Sequence, residues 1–361
     1  MWISTNSTKA VKNNYIRQAI QKMATALFVT LLLMGLANAD GELQLAELGE
    51  CKLENGEVIL NCRVAFRTLG KLNADKSNVM VFPSWYGGTS QSLIDYDYIG
   101  PGKIADTDRY FVIAIDALSD GVSSSPSNSP QQAMGKFPQI DFGDMVDAQH
   151  RLLTEYLNID HVDVVIGASM GGMQVFEWII RYPGFMNKAV AIEGTPWPTP
   201  YDLMLWSAWM EAAEVYDGSE ASLQRSTLLL AQLDGLTLWT PAYLNEMIST
   251  EDFSEFMAGF TPKAEAGSLL DRKVQTHAIL NHNISAGIDD FSQHAADLIK
   301  AELLVVVFSQ DHMVNPNPSL ELAEMIGASQ VVLDSSCAHM APNPECDQIE
   351  VSRKVNAFLQ K

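Results

Sequence analysis

Val162-Asp163-Val164-Val165-Ile166-Gly167-Ala168-Ser169-Met170-Gly171-Gly172 reads as a buried strand, a tight turn and the start of a helix. Val162–Ile166 is apolar and mostly β-branched, as expected of a strand covered on both faces. A helical pattern over Met173–Tyr182 stops before Pro183. Between them Gly167-x-Ser169-x-Gly171 has the form of a nucleophile elbow. The backbone there turns so sharply that only small neighbours fit, and the serine Oγ is held exposed above the sheet. The incoming helix offers the Met170 N–H to a developing oxyanion, aided by its dipole.

A nucleophilic serine needs a base, and the base needs an orienting acid. With an elbow of this kind the chain order is serine, acid, histidine, the last two on loops after late strands. Asp311 follows the apolar run Leu303–Phe308, and His339 follows the run Gln330–Leu333. Ser169, Asp311 and His339 are therefore the expected catalytic residues. His312 is the rival base, although it neighbours the acid and cannot easily turn onto it. Asp334 is the rival acid, on the histidine's own loop. A second oxyanion donor is expected from Trp85 or Tyr86, in the loop after Asn78–Phe82.

Further apolar runs at Tyr110–Ile115 and Ala189–Ile192 complete a set of six strands. A helical pattern also covers Asp144–Leu157. This alternation predicts an α/β fold, a mostly parallel, doubly wound sheet. Residues 195–290 break the rhythm: they hold no evident strand and are rich in Trp, Met, Leu and Ala. They read as a helical cap inserted between core segments 40–194 and 291–361; any one aromatic there is expected to pack against the core, while the Trp and Met content as a whole hints at an apolar acyl pocket. Gly100-Pro101-Gly102-Lys103 is not a phosphate loop, because Asp97 stands where its first glycine belongs and Ile104 replaces Ser/Thr.

The 361 residues carry 23 Lys+Arg against 44 Asp+Glu, a formal charge of −21. Residues 1–39 hold four basic residues and no acidic one, so the rest is more acidic still. Such a surface repels phosphate backbones, and nucleic acid is excluded as a partner. The N-terminus has a basic stretch ending at Lys22, an apolar run Met23–Leu36, and Ala37-Asn38-Ala39. Those are the parts of a cleavable export signal over residues 1–39. The run falls short of the ~20 residues a membrane span needs, so no stable membrane anchor is expected. The product would be periplasmic or secreted. All four cysteines lie beyond this segment, and an oxidising compartment favours the pairs Cys51–Cys62 and Cys337–Cys346. Asn55-Gly56 predicts a two-residue hairpin turn that sets Cys51 opposite Leu60, one diagonal step from Cys62. A zinc site on Cys337, His339 and Cys346 lacks a fourth ligand, so no metal is expected.

Several stretches resemble the homoserine O-acetyltransferase family of α/β-hydrolase-fold enzymes. They include Thr68-Leu69-Gly70-Lys71-Leu72-Asn73, Ile99–Lys103 with Asp106–Ile113, and Asp144-Met145-Val146 with Ala148–Leu153. Gly171-Gly172-Met173-Gln174 with Glu177-Trp178 is the most specific, and Arg181-Tyr182-Pro183 also matches. The resemblance implies the α/β-hydrolase fold, an acyl-enzyme on Ser169, proton transfer by His339 and a homodimer formed through the cap. The departures bear on substrate. Where the family follows its histidine with an aspartate that holds the homoserine amine, this chain has Met340. The family's cap arginine and tyrosine align with Ala231 and Leu238, and its Gly-rich stretch with Asp116–Gly121.

Loss of both charge partners, together with export away from acetyl-CoA, points to an exported serine ester hydrolase acting on a small-molecule acyl ester without a cofactor. The alternatives are a CoA-dependent homoserine (or related hydroxyl) O-acetyltransferase and a non-catalytic binding protein on a hydrolase fold.

Overall fold

The computed structural model describes residues 39–361; the export signal read over residues 1–39 lies outside them except for Ala39. Strands β1 (Ala39–Asp40) and β2 (Gln44–Lys52) both pair antiparallel with β3 (Val58–Gly70). Next come β4 (Val79–Pro83), helix α1 (Ser90–Asp95), the short pair β5 (Ile99–Gly100) and β6 (Ala105–Asp106), and β7 (Phe111–Ile115). Helix α2 (Phe142–Arg151), β8 (Val162–Ala168), α3 (Met170–Arg181) and β9 (Met186–Ile192) follow. Five helices succeed one another without a strand: α4 (Pro200–Glu214), α5 (Glu220–Leu238), α6 (Pro241–Met247), α7 (Phe253–Phe260) and α8 (Ala266–Asn281). The chain ends with α9 (Phe291–Leu298), β10 (Glu302–Phe308), α10 (Asn317–Ile326), β11 (Ser329–Leu333) and α11 (Gln348–Leu359).

The strand order is β1-β3-β7-β4-β8-β9-β10-β11, with β2 also on β3. From β7 to β11 every neighbouring pair is parallel, and β3 joins β7 antiparallel. Side chains on a strand alternate between faces, and here both faces are dry. Val79, Val81, Ile113, Val165 and Val305 belong to one core, whereas Met80, Phe82, Val112, Ile166 and Val306 belong to the other. That two-sided burial is why these strands are legible as continuous apolar runs. The chain leaves β4 for β7 and later returns to β8 on β4's other side. The loops after β4 and β8 therefore diverge at the carboxyl edge of the sheet, where α/β folds bind ligands.

The N-terminal hairpin departs from the expected register. Leu53 N–H donates to the Glu57 carbonyl (2.9 Å) and Gly56 N–H to the Leu53 carbonyl (3.0 Å). This makes a three-residue loop, with Gly56 at φ +86° as its left-handed residue. A two-residue turn would need Asn55 at positive φ as well, and Asn55 instead uses its Oδ1 to accept from Glu57 N–H (2.8 Å). Cys51 consequently faces Ile59 rather than Leu60, and shifts of register flank Gly49. The pairing of cysteines survives: Cys51–Cys62 and Cys337–Cys346 are disulfides, with Cα separations of 5.6 and 6.3 Å. Among the described residues, no helix is long and apolar enough to cross a membrane.

Candidate active site

Ser169 lies between β8 and α3 with φ +54° and ψ −123°, a conformation that an L-residue holds only under constraint. The constraint is close backbone contact. A Cβ on Gly167 would lie 2.2 Å from the Gly171 carbonyl oxygen, one on Gly171 2.7 Å from the Pro83 oxygen, and one on Gly172 2.8 Å from the Ile192 oxygen. The glycines let α3 start directly on the sheet edge, and Ser169 N–H is held by the Ile192 carbonyl (2.9 Å).

The three side chains singled out by the sequence form one hydrogen-bonded chain. His339 Nε2 lies 2.9 Å from Ser169 Oγ, and His339 Nδ1 lies 2.7 Å from Asp311 Oδ2. Asp311 Oδ1 accepts from the Met313 and Val314 N–H groups (2.9 and 3.1 Å), which fixes the carboxylate. Both rivals are engaged elsewhere. His312 bonds the Gln310 and Leu236 carbonyls, and the exposed Asp334 accepts from Ser309 and Gln310. Burial opposes charging of His339, but the Asp311 and Glu193 carboxylates outweigh it, and its pKa is pushed up to about 9.

The loop after β4 runs alongside. Ser84 N–H goes to the Ile115 carbonyl, Gly87 N–H to Gln275 Oε1 and Gly88 N–H to the Trp85 carbonyl. Among the described residues, no protein acceptor meets the Trp85 or Tyr86 N–H. Several residues that carried the family resemblance build a buried prop beneath this loop. Trp178 Nε1–H donates to Gln149, Gln149 to Gln174, and Gln174 to the Ser84 carbonyl (2.9, 2.6 and 3.1 Å).

A cavity of about 210 Å³ opens over Ser169, with Trp85, Tyr98, Leu238, Met313 and Met340 among its walls. The Trp and Met residues at this cavity come from loops of the sheet rather than from the helical insertion. Trp206 and Trp209 of the cap are core residues, and Met204 is mostly exposed. Leu238 and Met340 do stand at the cavity, whereas Ala231 is packed into the core.

Three charged residues at the cavity escaped the sequence reading. Arg272 on α8 and Asp234 on α5 form an ion pair at 2.9 Å, and the guanidinium lies 4.7 Å above the Tyr86 ring. Glu193, at the end of β9, is fully buried beside His339, and burial pushes its pKa up to about 8. Glu193 could have been found, since a carboxylate directly after an apolar strand run is out of place in a core. Arg272 and Asp234 carry no such mark, because helical spacing does not say which face meets the site.

Residues 79–342 match the family model for the alpha/beta hydrolase fold. The chain belongs to the α/β-hydrolase family. This α/β-hydrolase is 32% identical over 309 residues to an ethyl acetate hydrolase of Pseudomonas veronii, covering 80% of this chain and 86% of that one. It is 29% identical over 316 residues to a homoserine O-acetyltransferase of Methanohalophilus mahii, covering 78% of this chain and 64% of that one. The structure of an acetylester hydrolase from Corynebacterium glutamicum matches with a TM-score of 0.81 at 26% identity, over 89% of this chain and 96% of that one. Esterases and acetyltransferases thus both stand among the relatives of this α/β-hydrolase, an enzyme of acyl transfer.

Proposed function

We propose that the protein is an exported serine carboxylester hydrolase for small acyl esters of the acetyl class. The observation that carries this is the Ser169–His339–Asp311 chain opening into a cavity of only about 210 Å³. That is below the usual range for drug-sized ligands and suits a short ester. Ser169 Oγ attacks the acyl carbonyl while His339 Nε2 takes its proton. The oxyanion is held by the Met170 N–H and by that of Trp85 or Tyr86. Collapse expels the alcohol, which takes the proton back from His339. Water then attacks the acyl-Ser169 ester, with His339 again as base, and releases the acid. Water needs only access, so no acceptor site has to be built. Export is supported by the two disulfides and by the basic-then-apolar N-terminus. N-terminal sequencing of the protein recovered outside the cytosol checks it, with Asp40 the expected first residue.

One observation favours transfer to homoserine instead: Arg272 and Asp234 bring a guanidinium and a carboxylate to the pocket, the groups an amino acid's two ends would use. They are paired with each other, so a zwitterion would have to break that bond first. Burst kinetics with a chromogenic acetyl ester, with and without homoserine and beside Ser169→Ala, separate the readings. A Ser169-dependent burst with turnover indifferent to homoserine is expected. Turnover accelerated by homoserine, with O-acetylhomoserine formed, refutes the hydrolase.

A further inference from the structure

Glu193 leaves β9 with its backbone at φ +44°, and its N–H is tied to the Val306 carbonyl on β10 (2.8 Å). Its side chain turns toward the base. Oε2 lies 4.0 Å from His339 Nδ1, the nitrogen that Asp311 Oδ2 meets at 2.7 Å. That Oε2 is buried and has no hydrogen-bond partner. A buried carboxyl oxygen without a protein partner is costly, so its retention calls for a reason. The topology supplies one. Asp311 follows β10 and Glu193 follows β9, and these strands are parallel neighbours ending at the same edge. Two adjacent strand ends therefore present two carboxyls to one imidazole nitrogen, which has a single proton to give.

We propose that Glu193 is a second acid for His339, a positioning residue that takes the Nδ1–H whenever Asp311 does not hold it. The proposal rests on the serine esterase reading above. Two carboxyls beside one imidazole repel each other when both are charged, so the charge on one opposes charging of the other. Burial above all, and the Asp311 charge besides, raise the pKa of Glu193, while His339 lowers it. With Asp311 present, Glu193 is accordingly protonated at neutral pH and leaves Nδ1 to Asp311. Removing Asp311 removes the repelling charge, and Glu193 then ionises at lower pH, with Oε2 4.0 Å from Nδ1. Among the described residues, Tyr98, just before β5, also faces it, and burial keeps that phenol neutral.

The test is kcat/KM on an acetyl ester for wild type, Glu193→Gln, Asp311→Ala and the double variant, with Ser169→Ala as the blank. Asp311→Ala is expected to lose about a hundredfold, the double variant at least about tenfold more, and Glu193→Gln alone about threefold in kcat. Equal values for Asp311→Ala and the double variant overturn the proposal. If Asp311→Ala fails to fold, the pH profile of Glu193→Gln decides. Loss of the second carboxyl should move the acid limb set by His339 to lower pH by about half a unit or more, and an unmoved limb overturns the proposal. Full activity in Ser169→Ala would remove the esterase reading and this proposal together, whereas failure of the carboxyl comparison alone leaves that reading intact.

Discussion

Cys337 and Cys346 are joined across the turn that carries His339, so the imidazole stands two residues from a covalent anchor. The same turn is otherwise held by Thr240, whose N–H and hydroxyl both donate to the Ser336 carbonyl. Replacing both cysteines with serine should cost about 2.5 kcal/mol through the freed loop of the unfolded chain. Thermal melts with and without reductant read that loss. Steady-state rates should show a kcat drop of about tenfold, because His339 loses its fixed position. An unchanged kcat would mean that packing alone holds the turn.

Ser169 pays for its exposure with a strained backbone, and that predicts an inverted stability order. Ser169→Ala and Ser169→Gly should both lose about 10⁶ in kcat. Ser169→Gly should nonetheless melt higher than Ser169→Ala, by about 1 kcal/mol, because glycine accepts positive φ and alanine does not. Elsewhere in a helix-flanking position the order would be the reverse.

The pH–rate profile should report the raised base. His339 must be unprotonated at Nε2 to accept the serine proton, and its pKa is pushed up to about 9. Hydrolysis should therefore climb with pH well past 7, with a midpoint nearer 9 than the ordinary imidazole value of about 6.5. The sign for stability is opposite. The folded state favours the imidazolium, so the contribution of this group is complete below about 6.5 and is lost as pH rises through 9. A profile levelling off near pH 6.5 would contradict the charged surroundings described for the ring.

His282 acts the other way. It is buried against the edge of Phe142, with Nε2 at the Thr195 carbonyl (3.0 Å), and burial lowers its pKa to about 3. The unfolded chain binds a proton here below about pH 6.5 while the folded chain does not, so stability falls as pH drops from there toward 3. Urea titrations of His282→Gln should give a shallower loss over that window than wild type.

What could be read from sequence follows from where the chain is dry on both sides. Five of the six parallel strands are buried on both faces and stand out as apolar runs, whereas β11 is partly open and stands out only by Val331-Val332-Leu333; the glycines around Ser169 stand out because bulk is forbidden there. Strand β3 is 13 residues long but carries Asn61, Arg63 and Arg67 at partly open positions, so it has no apolar run and escaped notice beyond its hairpin. The hairpin register was lost to a single bond, the one that makes Gly56 rather than Asn55 the left-handed residue. Asp311 and His339 were legible because strand ends point to them. Arg272 and Asp234 were not, since they meet the site only through the packing of α5 and α8, a relationship that no local pattern encodes.

Ser169 and the histidine it bonds, His339, lie 170 residues apart in the chain. During synthesis the serine is made long before the histidine exists, and helices α3 to α10 between them must be laid down first. On the proposed mechanism, a nascent or truncated chain that stops short of residue 339 is chemically silent however well its front half folds. If the proposed esterase reading holds, esters around such a chain are safe until residue 339 has been made and its turn has folded.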